Sequence, residues 1–212
     1  MVTFPSSRTR DEAFDLVRRL NEAGAKPRFA LSGGVAFAAH GIQLPRPPGD
    51  VDIAALEPVQ SATRLRQLLV EAGCEHLASK RDFPELLQKG CVPFVRNGIA
   101  FEILSQHERA AAAPPLQAVA AQLLLDRSRE NLRTIEGVPV LDVDVIVAWK
   151  AILNREKDRD DIRVLVTQTR SGGAPAITNP DEVRQLVVAN LGAHAEPVKF
   201  LEKALWTPWY RY

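Results

Sequence analysis

Residues 31–53 read LSGGVAFAAHGIQLPRPPGDVDI, a stretch in which a glycine pair precedes a short apolar segment and two aspartates follow a proline-rich loop. The apolar residues before the glycine pair predict a strand, and VAFAAHG predicts a short helix that ends at Gly41. Asp50 and Asp52 open a second predicted strand, in which side chains two residues apart share a face. The stretch therefore predicts strand, Gly-Gly turn, helix and an acidic strand.

This order of elements is suited to binding a metal ion together with a phosphate group. Two carboxylates on one face of a strand repel each other unless a cation lies between them, and Mg²⁺ prefers oxygen ligands. The glycines allow a close backbone approach, and the N-terminus of the following helix offers free N–H groups to a phosphate. Glu102, in a later predicted strand, is placed to supply a third carboxylate. Three carboxylates with two Mg²⁺ ions about 4 Å apart suit in-line nucleotidyl transfer.

Turn and cap signals divide the rest of the chain. Asn97-Gly98, between the apolar runs CVPFVR and IAFEIL, predicts a β-hairpin, and Glu136-Gly137 predicts a smaller one. Thr9-Arg10-Asp11-Glu12 is a capping-box pattern that predicts a helix ending near Gly24. Further helices are predicted over residues 58–72, 143–154, 158–169 and 180–191, with Asn179 and Pro180 opening the last of them. Residues 197–205 form a final segment that leads into the aromatic tail. The segment after Leu104 is predicted to be partly helical.

These elements predict an α/β (α+β) fold, a small mixed sheet flanked by helices. We expect residues 1–106 to form the α/β core and residues 107–212 to form a mostly helical region that closes over the nucleotide cleft. Two pairs of acids elsewhere, Asp142/Asp144 and Asp158/Asp160, are predicted to lie in helix caps or first turns.

Composition and charge argue against several classes of protein. The chain has 212 residues and a net charge of +1, so no global field directs it to nucleic acid or membrane. Two cysteines cannot form a disulfide framework or a zinc cluster, and we expect Cys74 and Cys91 to be reduced core residues. No apolar run reaches the length of a membrane span, and the first residues lack a secretion signal. We expect a cytoplasmic protein.

The segments SGG, RPPGDVDIA and IAFEIL together resemble the nucleotidyltransferase superfold, the DNA-polymerase-β-like group. Within it they resemble the minimal bacterial nucleotidyltransferases with their AbiEii-type toxin relatives. The resemblance implies that Asp50 and Asp52 are metal ligands and that Glu102, the third ligand, helps to activate an acceptor hydroxyl. It also implies that the triphosphate is cradled by Ser32, Gly33 and Gly34.

The segment VDVIVAWKAILNREKDRDDIRVL resembles the helical part of the same family. The resemblance implies that Lys150 and the basic turn of Arg155 and Lys157 face the nucleotide. Asp158 and Asp161 match the acidic positions that follow. Arg46 matches an arginine before the first aspartate and would add to nucleotide binding. From the residues alone, Lys150 could equally be a surface lysine beside Trp149.

The predicted function is that of a Mg²⁺-dependent nucleotidyltransferase that moves a nucleoside monophosphate from an NTP to an acceptor hydroxyl. The resemblance makes tRNA or a partner protein the acceptor, within a toxin–antitoxin system. One alternative is an aminoglycoside-type enzyme that modifies a small molecule. The other is a catalytically inactive nucleotide-binding or partner-binding protein, because Pro48 stands where the family has a small hydroxyl residue. The oligomeric state is left open.

Overall fold

A computed structural model describes residues 7–22, 28–44, 46–57, 59–105, 120, 123, 131–170 and 177–206. Within these ranges one six-stranded sheet carries helices around it, which confirms the predicted mixed α/β class. None of the described helices combines the length and the apolar character that crossing a membrane requires.

The elements are numbered in chain order within the described residues. The strands are β1 (Phe29–Leu31), β2 (Val51–Ala55), β3 (Cys91–Arg96), β4 (Ile99–Leu104), β5 (Leu132–Ile135) and β6 (Val138–Leu141). The helices are α1 (Ser7–Asn21), α2 (Gly33–Ala39), α3 (Ala62–Glu71), α4 (Phe83–Gln88), α5 (Val143–Leu153), α6 (Glu156–Arg170), α7 (Pro180–Leu191) and α8 (Glu196–Trp206).

The sheet has the order β3-β4-β2-β1-β6-β5. The pairs β2/β4 and β1/β6 are parallel, and the remaining pairs are antiparallel. Because β6 pairs with β1, residues 132–141 extend the sheet that the first hundred residues begin. The division of the chain at residue 106 stays a prediction.

Both predicted hairpins are confirmed. Asn97 and Gly98 have φ of 50° and 76°, and Glu136 and Gly137 have φ of 50° and 75°. Two successive residues in the left-handed region are what a two-residue hairpin turn of the favoured hand requires. The turns therefore fix the registers of β3 with β4 and of β5 with β6.

The capping-box prediction is wrong. Helix α1 already includes Ser7, so Thr9 lies inside it. The Glu12 carboxylate instead accepts hydrogen bonds from Arg96 Nη1 at 2.7 Å and from Asn97 Nδ2 at 2.9 Å. Arg96 is buried, and a buried charge is unfavourable unless it is paired and hydrogen-bonded. The predicted stop at Gly24 lies outside the described residues.

The other helix predictions differ mainly at their ends. Helix α3 begins after Ser61, whose hydroxyl accepts a hydrogen bond from Arg64 N, rather than near residue 58. Helix α7 begins at Pro180 with Asn179 as its cap, as predicted. Helices α4 and α8 were not predicted, and the segment after Leu104 lies almost wholly outside the described residues.

Helix α5 is the central helix of the C-terminal part. All its residues from Val143 to Ile152 are buried, including the charged Asp144 and Lys150. The Asp144 carboxylate accepts hydrogen bonds from the backbone N–H groups of Thr178 and Asn179 at 2.9 and 2.8 Å, and so holds the start of α7. Lys150 lies near the other end of α5 and faces the cleft described below.

The hairpin geometry predicts unequal effects for two glycine substitutions. Gly98→Ala should lower the free energy of unfolding by about 1 kcal/mol, because alanine is strained at a φ of 76°. Gly49→Ala is the matched control: its added methyl group would meet no atom within 4 Å, and its φ lies outside the left-handed region. Urea unfolding curves measure both, and equal effects would contradict the hairpin geometry.

Candidate active site

A cleft with an empty volume of about 830 Å³, open to solvent, lies between the sheet and helices α5 and α6. The structure brings most of the predicted site residues to it. The lining includes Gly34, Arg46, Asp50, Asp52, Glu102, Lys150, Arg155 and Lys157. Ser32 and Gly33 are buried at the start of α2, and Gly33 lies directly against Asp52.

The sheet side of the cleft is acidic. Strands β2 and β4 are parallel and pair Asp52 with Glu102, so these side chains are neighbours on one face. Asp50 comes directly before β2 and lines the same cleft. Within the described residues, no three His, Cys, Asp or Glu side chains are close enough to hold an ion jointly. The three acids therefore share a surface without forming a closed ligand set.

On this surface, the carboxyl of Asp52 has a raised pKa. Burial, and after it the charge of Asp50, raises the pKa of its carboxyl to about 7; Glu102 adds to the increase, and Lys150 and Lys157 oppose it. A divalent cation would offset the repulsion among the three acids, and hard cations take oxygen ligands. The donor set therefore fits Mg²⁺ in its chemistry.

Gly33 gives Asp52 its position. Gly33 has a φ of 60°, and a Cβ atom at this residue would lie 1.8 Å from Asp52 Oδ2. The neighbouring Ser32 N donates a hydrogen bond to the Asp52 carbonyl at 2.9 Å. Ser32 Oγ is buried and has no hydrogen-bond partner in the described part of the chain. A side chain at residue 33 would thus displace the central carboxylate of the cleft.

Gly34 is covered by the proline-rich loop. A Cβ atom at Gly34 would lie 3.0 Å from Pro48 Cγ and 3.5 Å from Leu44 Cδ1. The cradle for a triphosphate that the sequence predicts at Ser32, Gly33 and Gly34 stays a prediction.

The helical side of the cleft is cationic and is organised by two buried acids. Lys150 Nζ donates hydrogen bonds to Asp158 Oδ1 at 3.1 Å and to Asp161 Oδ2 at 2.8 Å. Only 5% of the Lys150 side chain is exposed, so its interpretation as a surface lysine is wrong. A buried ammonium between two carboxylates is held in place, because losing either partner leaves an uncompensated charge.

Three further cations surround this group. Arg155 Nε donates to Asp158 Oδ2 at 2.6 Å, and Arg46 Nη2 lies 3.2 Å from Asp161 Oδ2. Burial raises the pKa of the Asp158 carboxyl, but the hydrogen bonds and the positive charges of Arg155 and Lys150 lower it more. The pKa therefore lies below its ordinary value. Lys157 is exposed and pairs with no described residue.

The sequence analysis missed part of the lining. Cys74 is buried as predicted, whereas Cys91 lines the cleft, and burial together with the adjacent Glu102 raises the pKa of its thiol. The hairpin register contained the signal. Pro93 pairs with Glu102, and residues two apart in a strand share a face, so Cys91 had to lie on the Glu102 side.

Comparison with known proteins does not assign this chain to a family. No family model matches the chain, and no curated protein matches it. Among solved structures, the chain is similar to the crystal structure of an antigenic nucleotidyltransferase-like protein from Paracoccidioides brasiliensis. The identity is 14%, the TM-score is 0.49, and 96% of this chain and 98% of the other are covered. A similarity at this level does not assign a function, and the AbiEii-type resemblance stays a prediction.

The crowding of Asp52 predicts a stability change that depends on pH. The folded-state pKa of about 7 lies above the ordinary value of 3.8, so the charged carboxylate destabilises the fold increasingly as the pH rises between these values. Asp52→Asn removes this charge. With a chelator present, the variant should therefore melt at a higher temperature than the wild type at pH 8, and this advantage should shrink toward pH 4.

Asp160→Asn is the control, because Asp160 is exposed and pairs with Arg163 away from the cleft. Thermal melts in buffers from pH 4 to 8 measure both variants. A melting difference for Asp52→Asn that stays constant across this range would contradict the electrostatic account.

Proposed function

We propose that this chain is a Mg²⁺-dependent nucleotidyltransferase that transfers a nucleoside monophosphate from an NTP to an acceptor hydroxyl. One observation carries the proposal: a single cleft has carboxylates on its sheet side and cations on its helical side. A magnesium–triphosphate complex presents the complementary pattern, since the metal needs oxygen ligands and the phosphates need positive charge.

Asp50, Asp52 and Glu102 would hold the metal, with two Mg²⁺ ions as the proposed complement. When bound, Mg²⁺ supplies charge stabilisation for the attacking and leaving oxygens of an in-line displacement. Glu102 lies in β4, toward the outer strand β3, where it would orient the acceptor hydroxyl and accept its proton. Asp52 is the central carboxylate, because it lies two residues after Asp50 in the chain and pairs with Glu102 on the neighbouring strand.

The helical wall would manage the negative charge of the donor. Arg46, Lys150, Arg155 and Lys157 would bind the triphosphate and stabilise the departing pyrophosphate. The acceptor oxygen forms a bond to the α-phosphorus while the bond from that phosphorus to the bridging oxygen of pyrophosphate breaks. Lys150 is oriented by Asp158 and Asp161 before any substrate arrives, so this part of the site needs no reorganisation.

We propose tRNA or a partner protein as the acceptor, in a cytoplasmic toxin–antitoxin setting. The net charge of +1 means that contact with a nucleic acid would be made by local cations such as those at the cleft, rather than by the whole surface.

The test is transfer of label from each of the four α-labelled nucleoside triphosphates, with Mg²⁺, into separated tRNA, protein and small-molecule fractions. Label is expected in the tRNA or the protein fraction. Asp52→Asn should lower the rate at least about 100-fold, a loss typical of removing one group that stabilises a transition state. Without metal the same variant should be at least as stable as the wild type at pH 8, so the loss of rate would not arise from a failure to fold.

Asp160→Asn, outside the cleft, should keep the wild-type rate. Transfer that persists in Asp52→Asn would contradict the proposed site. Label in the small-molecule fraction would favour an aminoglycoside-type acceptor. Nucleotide binding without label or pyrophosphate release would favour the inactive alternative that Pro48 suggests.

A further inference from the structure

We infer that a groove between helices α3 and α4 binds an amphipathic, acidic segment of a partner protein. The groove has a volume of about 770 Å³ and is open to solvent. Its lining shares no residue with the lining of the candidate active site. The inference therefore does not rest on the proposed function.

Helix α3 supplies one wall of the groove. Its residues Leu65 and Leu69 are buried and belong to the core, so that side of the helix is occupied by the fold itself. Ala62, Arg66 and Val70 line the groove, and their spacing of four residues places them together on one helix face. Within the described part of the chain, this face remains available to a ligand.

Part of the groove is apolar. Phe83 and Pro84, in the first turn of α4, line it together with Val70 of α3. Val70 is 50% exposed and, with Trp206, is one of two large apolar side chains exposed within the described ranges. An apolar side chain placed against Val70 and Pro84 would remove this surface from water, which favours binding.

The groove is also positively charged. Arg66 and Lys80 line it, and no described acid does. Arg66 Nε donates a hydrogen bond to the Ala78 carbonyl at 3.3 Å, which leaves its two Nη groups without a described partner. Lys80 is exposed and forms no ion pair with a described residue. Both cations can therefore pair with carboxylates of a ligand.

The acids on and beside the two helices do not neutralise these cations, because they have other partners. Glu71 Oε1 accepts a hydrogen bond from Gln67 Nε2 at 2.8 Å, and Glu85 pairs with Lys89 at 2.7 Å. Asp82 Oδ2 accepts a hydrogen bond from a serine hydroxyl three residues earlier, at 2.7 Å. The positive charge of the groove is thus left for a ligand to complement.

An amphipathic segment with carboxylates beside apolar side chains complements both features of the groove. Apolar helix faces bind in grooves of this kind, and complementary charges select the partner. A second copy of this chain fits less well, because a twofold contact pairs a surface with itself and would bring like charges together. Nucleic acid also fits less well, since a polyanion binds through many cations rather than through two beside an exposed valine.

The test uses fluorescence anisotropy and a labelled helical peptide of about 14 residues, roughly four turns, with leucines on one face and glutamates beside them. A second peptide carries lysines in place of the glutamates. We expect the glutamate peptide to bind the wild type saturably and at least about tenfold more tightly than the lysine peptide at low salt, because like charges oppose binding. The difference should shrink as salt is added.

Two substitutions at exposed positions locate the binding site. Val70→Ser and Lys80→Glu should each weaken binding of the glutamate peptide by about tenfold or more, since one removes the apolar contact and the other reverses a facing charge. Lys80→Glu should also bind the lysine peptide more tightly than the wild type does. Lys199→Glu is the matched control, because Lys199 is an exposed lysine on α8 that lines neither the groove nor the active-site cleft.

Circular dichroism checks that the variants are folded, and the comparison of the two peptides on the wild type decides the inference if a variant is not. No saturable binding of the glutamate peptide, equal affinity for both peptides, or unchanged binding in both folded groove variants would overturn it. A dimer in sedimentation velocity that Val70→Ser dissociates would instead identify the groove as a contact between two copies. A labelled single-stranded RNA that binds the wild type and is released by Lys80→Glu would identify it as a nucleic-acid site, and either result would also overturn the inference.

Discussion

The carboxylate of Asp52 lies against a glycine and beside two other acids, and the geometry of the cleft depends on that crowding. The register of β2 with β4 places Asp52 next to Glu102, and the antiparallel pairing of β1 with β2 brings the start of α2 against the same carboxylate. Gly33, with a φ of 60°, is what allows this approach. Burial and like charge raise the pKa of Asp52 to about 7. Strain of this kind persists at functional sites when the surrounding fold fixes it.

On the opposite, helical side of the cleft, buried carboxylates hold the cations in place. Lys150 is buried between Asp158 and Asp161, and Arg46 reaches Asp161 from the loop after α2. This cluster joins the proline-rich loop to α6 and leaves Lys157 without a described partner. Breaking a buried ion pair is strongly destabilising, because it leaves an uncompensated charge. These pairs therefore hold the exposed cations in place. The cleft thereby presents the carboxylates of Asp50, Asp52 and Glu102 on its sheet side and exposed cations on its helical side.

Local signals in the sequence predicted much of this fold. Asn97-Gly98 and Glu136-Gly137 predicted the two hairpins because few other residue pairs accept two positive φ angles. Asn179 and Pro180 predicted the start of α7 for similarly local reasons. The capping box at Thr9 failed because the helix already includes Ser7, and Glu12 instead pairs with the buried Arg96, more than eighty residues away.

The shape and the charge pairing of the cleft depend on contacts between residues that are far apart in the sequence. These contacts could not be predicted from the sequence. Nothing local shows that β6 joins β1, that Pro48 covers Gly34, or that Lys150 is buried between two acids. The residue types at the cleft were predicted, and the cleft contains them. Which of them are paired and which are free depends on packing between distant segments. Periodicity and turn chemistry do not contain that information.

We propose that the crowded acids around Asp52 bind a divalent cation. The most direct test is the melting temperature of the wild type and of Asp52→Asn at pH 8 as Mg²⁺ is titrated in. A ligand that binds only the folded state stabilises it in proportion to the logarithm of its concentration above Kd. We expect the melting temperature of the wild type to rise with the Mg²⁺ concentration and that of Asp52→Asn to stay constant. Parallel responses in the two proteins, or none in either, would contradict it.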